Sequence, residues 1–123
     1  MTLDPRLATV VEAGRSKKAF HIRVLDVHGI ASFTDAFVFL SGGSDRQNRA
    51  IAEAVEEQLK AQGHRPISVE GDRIGAWILM DYGDFLVHVM DEESRRHYAL
   101  EELWKAGSTL ELPPEPPHPS APA

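Results

Sequence analysis

Residues 77–90, WILMDYGDFLVHVM, have a pattern of apolar and polar positions that predicts the central feature of the chain. Two apolar runs flank the polar stretch 81–84, which contains Gly83. A glycine between two such runs is typical of a tight β-hairpin. We expect Tyr82 and Gly83 to form the turn. The residues then expected to face each other are Asp81 and Asp84, Leu79 and Leu86, and Trp77 and His88.

Because side chains alternate along a strand, this hairpin should have one apolar face and one mixed face. The apolar face, with Ile78, Met80 and Val87 among its residues, belongs in a core. On the mixed face, carboxylates, a tryptophan and a histidine lie among aliphatic side chains. Such a face is too apolar for a sheet surface exposed to solvent and too charged for a core. We therefore expect it to contact a partner. Its residues are Trp77, Leu79, Asp81, Asp84, Leu86 and His88.

The pattern elsewhere predicts three helices and three further strands. The helices are expected at about 5–17, at 45–62 and from 92 to Gly107, and the strands at 19–26, 34–40 and 64–69, with a turn at Glu70-Gly71. Apolar and polar residues alternate in strand 19–26, which should therefore have one face exposed to solvent. Strand 34–40 is almost continuously apolar and should be buried on both faces.

The predicted order is therefore α-β-β-α-β-β-β-α. A helix that joins two strands implies parallel pairing somewhere, while the hairpin is antiparallel. We expect an α/β (α+β) fold, a mixed β-sheet of about five strands flanked by helices. One domain should span residues 1–107, and the Pro-rich tail 108–123 should be disordered.

Composition narrows the classes of function. The absence of cysteine excludes disulfides and thiolate chemistry. No apolar run approaches the ~18 residues that a membrane span needs, so we expect a soluble, cytoplasmic protein. A net charge of −6 makes the chain a poor direct ligand for nucleic acid. The basic cluster Arg15–Lys18 is interpreted as a solvated helix end.

No motif predicts a catalytic centre, a metal site or a bound cofactor. The turn Ser41–Ser44 before a helix could cradle phosphate, but it lacks the Walker lysine, and a capped turn is the favoured interpretation. A nucleotidyltransferase needs a carboxylate pair soon after such a turn, whereas Asp81 and Asp84 come much later and a turn separates them. For His88, a role within the sheet and a role in partner contact remain equally open.

Several motifs together resemble one known family. They are Phe33-Thr34-Asp35-x-Phe37-Val38, Ser41-Gly42-x-Ser44-x-Arg46-Gln47, Val69-Glu70-Gly71, Trp77–Asp84, Val87-His88-Val89 and Arg96-x-Tyr98-x-Leu100-Glu101-x-Leu103-Trp104. In number, order and spacing, over residues 4–106, this pattern resembles the ribosomal silencing factor family, also called iojap-like.

The resemblance implies a translational repressor that is not an enzyme. Members of that family bind protein fourteen of the large ribosomal subunit and block its association with the small subunit, especially under nutrient limitation. The implied fold is nucleotidyltransferase-like without catalytic residues, and the free protein is expected to be a homodimer with little direct nucleic acid contact. The motif match adds Glu70, Tyr82 and Met90 to the expected partner-binding residues. A large-subunit assembly factor and a nucleotide-binding, nucleotidyltransferase-like protein are the alternatives.

Overall fold

The structure is a computed structural model that describes residues 4–71, 76–98, 108–110 and 112. Its elements within those residues are α1 (Pro5–Ser16), β1 (Phe20–Asp26), β2 (Ala36–Ser41), α2 (Asp45–Ala61), β3 (Ser68–Gly71), β4 (Trp77–Asp81), β5 (Phe85–Met90), α3 (Glu92–Tyr98) and β6 (Ser108–Leu110). The predicted continuation of the last helix over 99–107 lies outside the described residues. Among the described residues, no helix has the length and apolarity that a membrane crossing requires.

Side-chain caps determine where α1 and α2 begin. The Asp4 carboxylate accepts a hydrogen bond of 2.8 Å from the Arg6 N–H, directly before a proline at the first helical position. At α2, the Ser44 hydroxyl accepts from the Gln47 N–H at 3.1 Å, and Gln47 Oε1 accepts from the Gly43 N–H at 2.6 Å. Both helices therefore begin where the sequence predicts.

The strands form one mixed sheet in the order β3-β4-β5-β2-β1-β6. The two central strands, β2 and β5, pair in parallel, and every other neighbouring pair is antiparallel. The structure thus confirms the mixed sheet flanked by helices and the parallel pairing. All six residues of β2 are buried, as expected for a strand covered on both faces.

Helices α1 and α2 pack on one face of this sheet and enclose the main core. Apolar residues of the two helices meet the apolar face of the hairpin and of β2 there. The cluster includes Val10, Val11, Ile51, Val55, Leu59, Val38, Leu40, Met80, Val87 and Val89. The opposite face, which we call the distal face, carries Phe37, Phe39, Leu25 and Leu86 in a second apolar cluster.

The register of the hairpin differs by two residues from the prediction. Trp77 pairs with Met90 and Asp81 with Leu86, and the Tyr82 N–H donates to the Phe85 carbonyl at 3.0 Å. The turn residues are therefore 83 and 84, because Gly83 adopts a φ of +85° that a two-residue hairpin loop requires at this position. A shift of two residues keeps the strand side chains of 77–81 and 85–90 on their predicted faces, so their individual pairings were wrong but their faces were not. Asp84, predicted on the mixed face, moves into the turn.

Two other strand predictions need correction. The alternation of β1 is interrupted by a bulge between Phe20 and Arg23, with His21 at a φ of +51°. Val24 and Leu25 are then both buried, so neither face of β1 is exposed to solvent along its whole length. Strand β3 begins at residue 68 instead of 64 and includes Glu70-Gly71, which the sequence analysis placed in a turn.

A sixth strand was not predicted. Residues 108–110 pair with β1, although the sequence analysis placed them at the start of a disordered tail. Leu110 and Leu112 pack against the main core, and this burial stabilises a strand in spite of the proline-rich sequence that follows. For the rest of the tail, which lies outside the described residues, disorder stays a prediction.

We predict that Gly42→Ala destabilises the protein. An added Cβ would lie 2.3 Å from Asn48 Oδ1 and 3.2 Å from the Asn48 backbone nitrogen, so the start of α2 would have to shift. Overpacking of this kind costs about 1–3 kcal/mol in the free energy of unfolding, which urea denaturation measures. Gly43→Ala is the control, since its Cβ would meet only the end of the Gln47 side chain at 3.3 Å. Equal unfolding midpoints for the two variants would contradict this packing.

Candidate protein-binding face

The sheet register places most of the predicted partner-binding residues on the distal face. Directly opposed residues of neighbouring strands share a face, and the register aligns Glu70, Leu79, His88 and Phe39 in one row across the sheet. The two flanking rows contain Trp77 with Met90, and Asp81 with Leu86 and Phe37. Seven of the nine predicted residues are therefore brought together.

Aromatic rings form a continuous layer in the middle of this face. The His88 ring stacks on Phe39 with centroids 5.1 Å apart and an interplanar angle of 17°. It also meets Phe37 edge-on at 5.6 Å and Trp77 at 6.0 Å. The Trp77 Nε1–H donates to His88 Nδ1 at 3.2 Å, which fixes the tilt of the indole. The layer therefore holds Trp77 in a defined orientation at the sheet surface.

His88 is almost completely buried within this layer. Its side chain is 6% exposed, and burial lowers its pKa to about 4. The ring is consequently neutral at pH 7 and accepts at Nδ1, which leaves its proton on Nε2. Met90 is buried as well, at 1% exposure. Both residues support the face from beneath, while Trp77, Leu79 and Leu86 remain partly exposed on it.

Two carboxylates lie at the margin of the distal face. Glu70 is exposed on the edge strand β3, opposite Leu79. Asp81 is two positions further along β4, so the two acids are diagonal neighbours, roughly 7–8 Å apart at this spacing. One Asp81 oxygen also accepts the Gly83 N–H at 2.8 Å and thereby closes the hairpin turn. This face thus combines partly exposed apolar surface with two negative charges at one edge.

Tyr82 and Asp84 lie on the other side of the hairpin. The Tyr82 ring stacks on Phe85 at 5.0 Å and packs against the main core, and burial raises its pKa to about 12. Asp84 forms a 3.0 Å ion pair with Arg6, which lies 5.3 Å above the Phe85 ring. These contacts attach the hairpin to α1. The shifted turn explains the difference, because residue 84 is part of the loop and not of the strand.

The glycine-rich turn before α2 is a structural cap. The Gly43 N–H donates to Gln47 Oε1, and the Gln47 N–H donates to the Ser44 hydroxyl. Two of the donors that could hold a phosphate, the Gly43 and Gln47 N–H groups, therefore already have partners within the protein. Among the described residues, no group of three or more histidine and acidic side chains is arranged to hold a metal ion. Asp81 accepts a hydrogen bond from the Gly83 amide, and Asp84 accepts one from Arg6.

Sequence reasoning missed the contribution of β2 and of the segment before it. Phe37 and Phe39 form the centre of the aromatic layer, and Phe33, 58% exposed, lies 6.1 Å from Phe37. The side chain of Arg95 crosses from α3 onto this face, 5.5 Å above the Phe39 ring. The parallel register of β2 with β5 decides which hairpin residues these rings meet. The alternation of phenylalanines at 33, 37 and 39 is the signal that could have found them.

Comparisons with known proteins agree on one family. The family model described as "Ribosomal silencing factor during starvation" matches residues 2–123. The "Ribosomal silencing factor RsfS" of Halalkalibacterium halodurans is 36% identical over 112 residues, which cover 91% of this chain and 96% of that protein. A crystal structure of a Chromobacterium violaceum protein matches with a TM-score of 0.81 and 32% identity, covering 91% of this chain and 92% of that one.

A relative from mitochondria has a different name. "Mitochondrial assembly of ribosomal large subunit protein 1" of Mus musculus is 32% identical over 93 residues. The match covers 73% of this chain and 41% of that protein. The same domain therefore occurs in proteins named for silencing and in one named for assembly.

We predict that His88 makes the stability of the protein depend on pH. With a folded-state pKa of about 4 against the ordinary histidine pKa of 6.5, mainly the unfolded state binds a proton between these pH values. The free energy of unfolding should therefore fall by about 3 kcal/mol as the pH decreases from 6.5 to 4, following 1.36 kcal/mol per pKa unit. Well above pH 6.5 the ring is neutral in both states and contributes no slope.

Urea denaturation of the wild type and of His88→Gln at pH 7 and pH 4.5 measures this effect. Glutamine keeps an acceptor for the Trp77 N–H but does not titrate, so the variant should lack this part of the pH dependence. The difference between the two proteins isolates His88 from His28, whose pKa is raised by its hydrogen bond to Asp35 and which acts in the opposite direction. Equal slopes, or an NMR titration midpoint near 6.5 for His88, would contradict the assignment.

Proposed function

This chain belongs to the ribosomal silencing factor family, whose members act in ribosome-related regulation, and from this premise we propose that it represses translation by binding protein fourteen of the large ribosomal subunit. The bound protein would occupy the surface at which the small subunit joins. It would act in the cytoplasm, chiefly when nutrients are limited. The family is named for silencing and not for an enzyme class.

The composition of the distal face is the observation that supports this proposal most directly. Partly exposed Trp77, Leu79 and Leu86 adjoin the acids Glu70 and Asp81. Tryptophan in a partly desolvated setting is typical of the residues that contribute most to protein–protein affinity. Acids at the margin suit a basic ribosomal protein, because complementary charge accelerates encounter and fixes orientation.

The proposed mechanism is steric and needs no chemical step. A repressor of this kind must remain bound long enough to exclude the small subunit, and residence time depends mainly on the apolar contacts buried at the centre of an interface. We assign that role to Trp77, Leu79 and Leu86. His88 and Met90 hold these residues in position, while Tyr82 and Asp84 hold the hairpin on α1.

We predict that charge reversal at Glu70 and truncation at Trp77 weaken binding to the large subunit. Glu70→Lys changes an exposed side chain and should leave the fold intact, whereas Trp77→Ala removes the proposed anchor. Loss of an interface hot spot costs at least about 2 kcal/mol, a decrease of roughly 30-fold in affinity. Co-sedimentation with purified large subunits in a sucrose gradient measures the binding.

Glu57→Lys serves as the matched control, since it reverses an exposed charge on α2, on the other side of the sheet. This variant should sediment with the large subunit like the wild type and should deplete the joined ribosomes equally. If Glu70→Lys and Trp77→Ala both retain full binding, the distal face is not the contact surface. If the wild type itself stays at the top of the gradient, the proposed function is wrong.

The mouse relative favours a second candidate, a role in assembly of the large subunit. The two functions differ in the particle that the protein binds. An assembly factor would associate with immature large subunits and leave the joining of mature subunits unaffected. Gradients that contain both kinds of particle distinguish the two, and binding to mature subunits with loss of joined ribosomes supports silencing.

We also propose that the free protein pairs with a second copy of itself through β3. This strand is at the edge of the sheet. Ile67, directly before the strand, is 72% exposed, and Val69, within the strand, is 47% exposed. An edge with exposed apolar side chains readily accepts a further strand. Light scattering after gel filtration should give twice the chain mass of 13.6 kDa. Val69→Lys should give the monomer, and a wild-type monomer at micromolar concentration would contradict the pairing.

A further inference from the structure

The fold brings two basic segments together at one corner of the molecule. The sequence shows Arg15, Lys17 and Lys18 at the end of α1, and Arg46 and Arg49 in the first turns of α2. In the structure, the Gln47 side-chain amide donates to the carbonyls of Lys17 and Lys18, both at 3.0 Å. We call these five cations the basic corner.

The basic corner is positive within a chain whose net charge is −6. Its five cations are accompanied by two paired acids: Arg15 lies 3.5 Å from Glu12, and Arg49 lies 3.7 Å from Asp45. Lys17, Lys18 and Arg46 are exposed. The nearby Glu92, on the other side of the sheet, contacts His21 at 3.0 Å. The corner therefore presents an excess of positive charge to solvent.

Lys18 occupies a backbone position at which the fold alone would favour glycine. The Lys18 N–H donates to the Arg15 carbonyl and the Ala19 N–H to the Gly14 carbonyl, the bonds of a Schellman motif. The residue at this position is left-handed, and Lys18 has a φ of +62°. A side chain is strained in this region, which is why helices that end in this way usually have glycine there. Residues with strained backbone conformations are concentrated at functional sites. The strain at Lys18 therefore indicates that its ammonium group has a role beyond the fold.

The basic corner adjoins the end of the sheet at which Trp77 lies. The Gly42 N–H, in the loop between β2 and α2, donates to the Met90 carbonyl at 3.3 Å, and Met90 is the direct partner of Trp77. A large particle that covers Trp77 therefore extends naturally over this corner. The lysine ammonium groups are compact positive charges, and the planar guanidinium group of arginine can donate two parallel hydrogen bonds. Both kinds of group bind phosphate oxygens.

We propose that the basic corner contacts phosphate groups of ribosomal RNA while the distal face contacts ribosomal protein. This inference rests on the proposed function, since it takes the large subunit as the partner. Two or three phosphates are within the capacity of three exposed cations. The acidic remainder of the molecule repels RNA, so the contact is confined to this corner and orients the protein on the subunit.

The test uses Lys18→Gly combined with Arg46→Gln, and the matched control is Lys60→Gln combined with Arg65→Gln. Both double variants remove two exposed cations, and Lys60 lies about 20 Å along α2 from Arg46, at 1.5 Å per residue. Binding to the large subunit is measured between 50 and 200 mM salt, together with binding to isolated protein fourteen. Each phosphate contact contributes about 0.7–0.9 to the slope of log affinity against log salt.

We expect the corner variant to lose about 1.5 from the magnitude of this slope, from two contacts at ~0.7–0.9 each, and the control to lose none. Affinity for the isolated ribosomal protein should be unchanged, and the urea midpoint should not fall, because glycine relieves the strain at position 18. A wild-type slope in the corner variant overturns the inference and leaves the proposed function standing. Absence of wild-type binding to the subunit overturns both.

A photo-crosslinking residue at position 46, with one at position 60 as control, identifies the partner directly. Crosslinks from position 46 to ribosomal RNA support the inference, whereas crosslinks to ribosomal protein alone overturn it.

Discussion

The parallel pairing of β2 with β5 is the contact on which the rest of the structure depends. It joins an early strand to the second strand of the hairpin across a connection that includes α2, and it brings that helix over one face of the sheet. All six residues of β2 are buried between the two faces. The same pairing aligns Phe39 with His88, so the aromatic layer of the distal face and the main core arise from a single register.

Polar side chains at the ends of elements keep this arrangement in place. Gln47 caps α2 and also binds the last carbonyls of the α1 region, so one side chain connects two helices. Arg6 bridges Asp4 of the α1 cap and Asp84 of the hairpin. Arg95 bonds to the Ser41 hydroxyl at 2.7 Å and covers Phe39, which ties α3 to the centre of the sheet.

The two faces of the sheet therefore differ in composition and burial. The face beneath α1 and α2 contributes stability through buried aliphatic side chains. The distal face places a tryptophan of fixed orientation beside two marginal acids, and the basic corner lies at the adjoining end. A protein with opposite charges at separate places can distinguish the protein and RNA components of a ribonucleoprotein surface, although its net charge is negative. The proposed steric repression would require binding in one orientation.

The sequence alone determined the helices, the hairpin, the mixed sheet and the family. Cap residues and apolar periodicity are local, and the division of the hairpin into two faces depends only on alternation, so it survived a register error of two residues. The tertiary structure decided the rest: the pairing of β2 with β5, the sixth strand, the burial of His88 and Met90, and the contact of Asp84 with Arg6. It also brought the end of α1 to the start of α2, where the Gln47 side-chain amide donates to the Lys18 carbonyl. These features depend on which distant segments meet, and that is decided by packing of the whole chain, about which a local pattern contains no information.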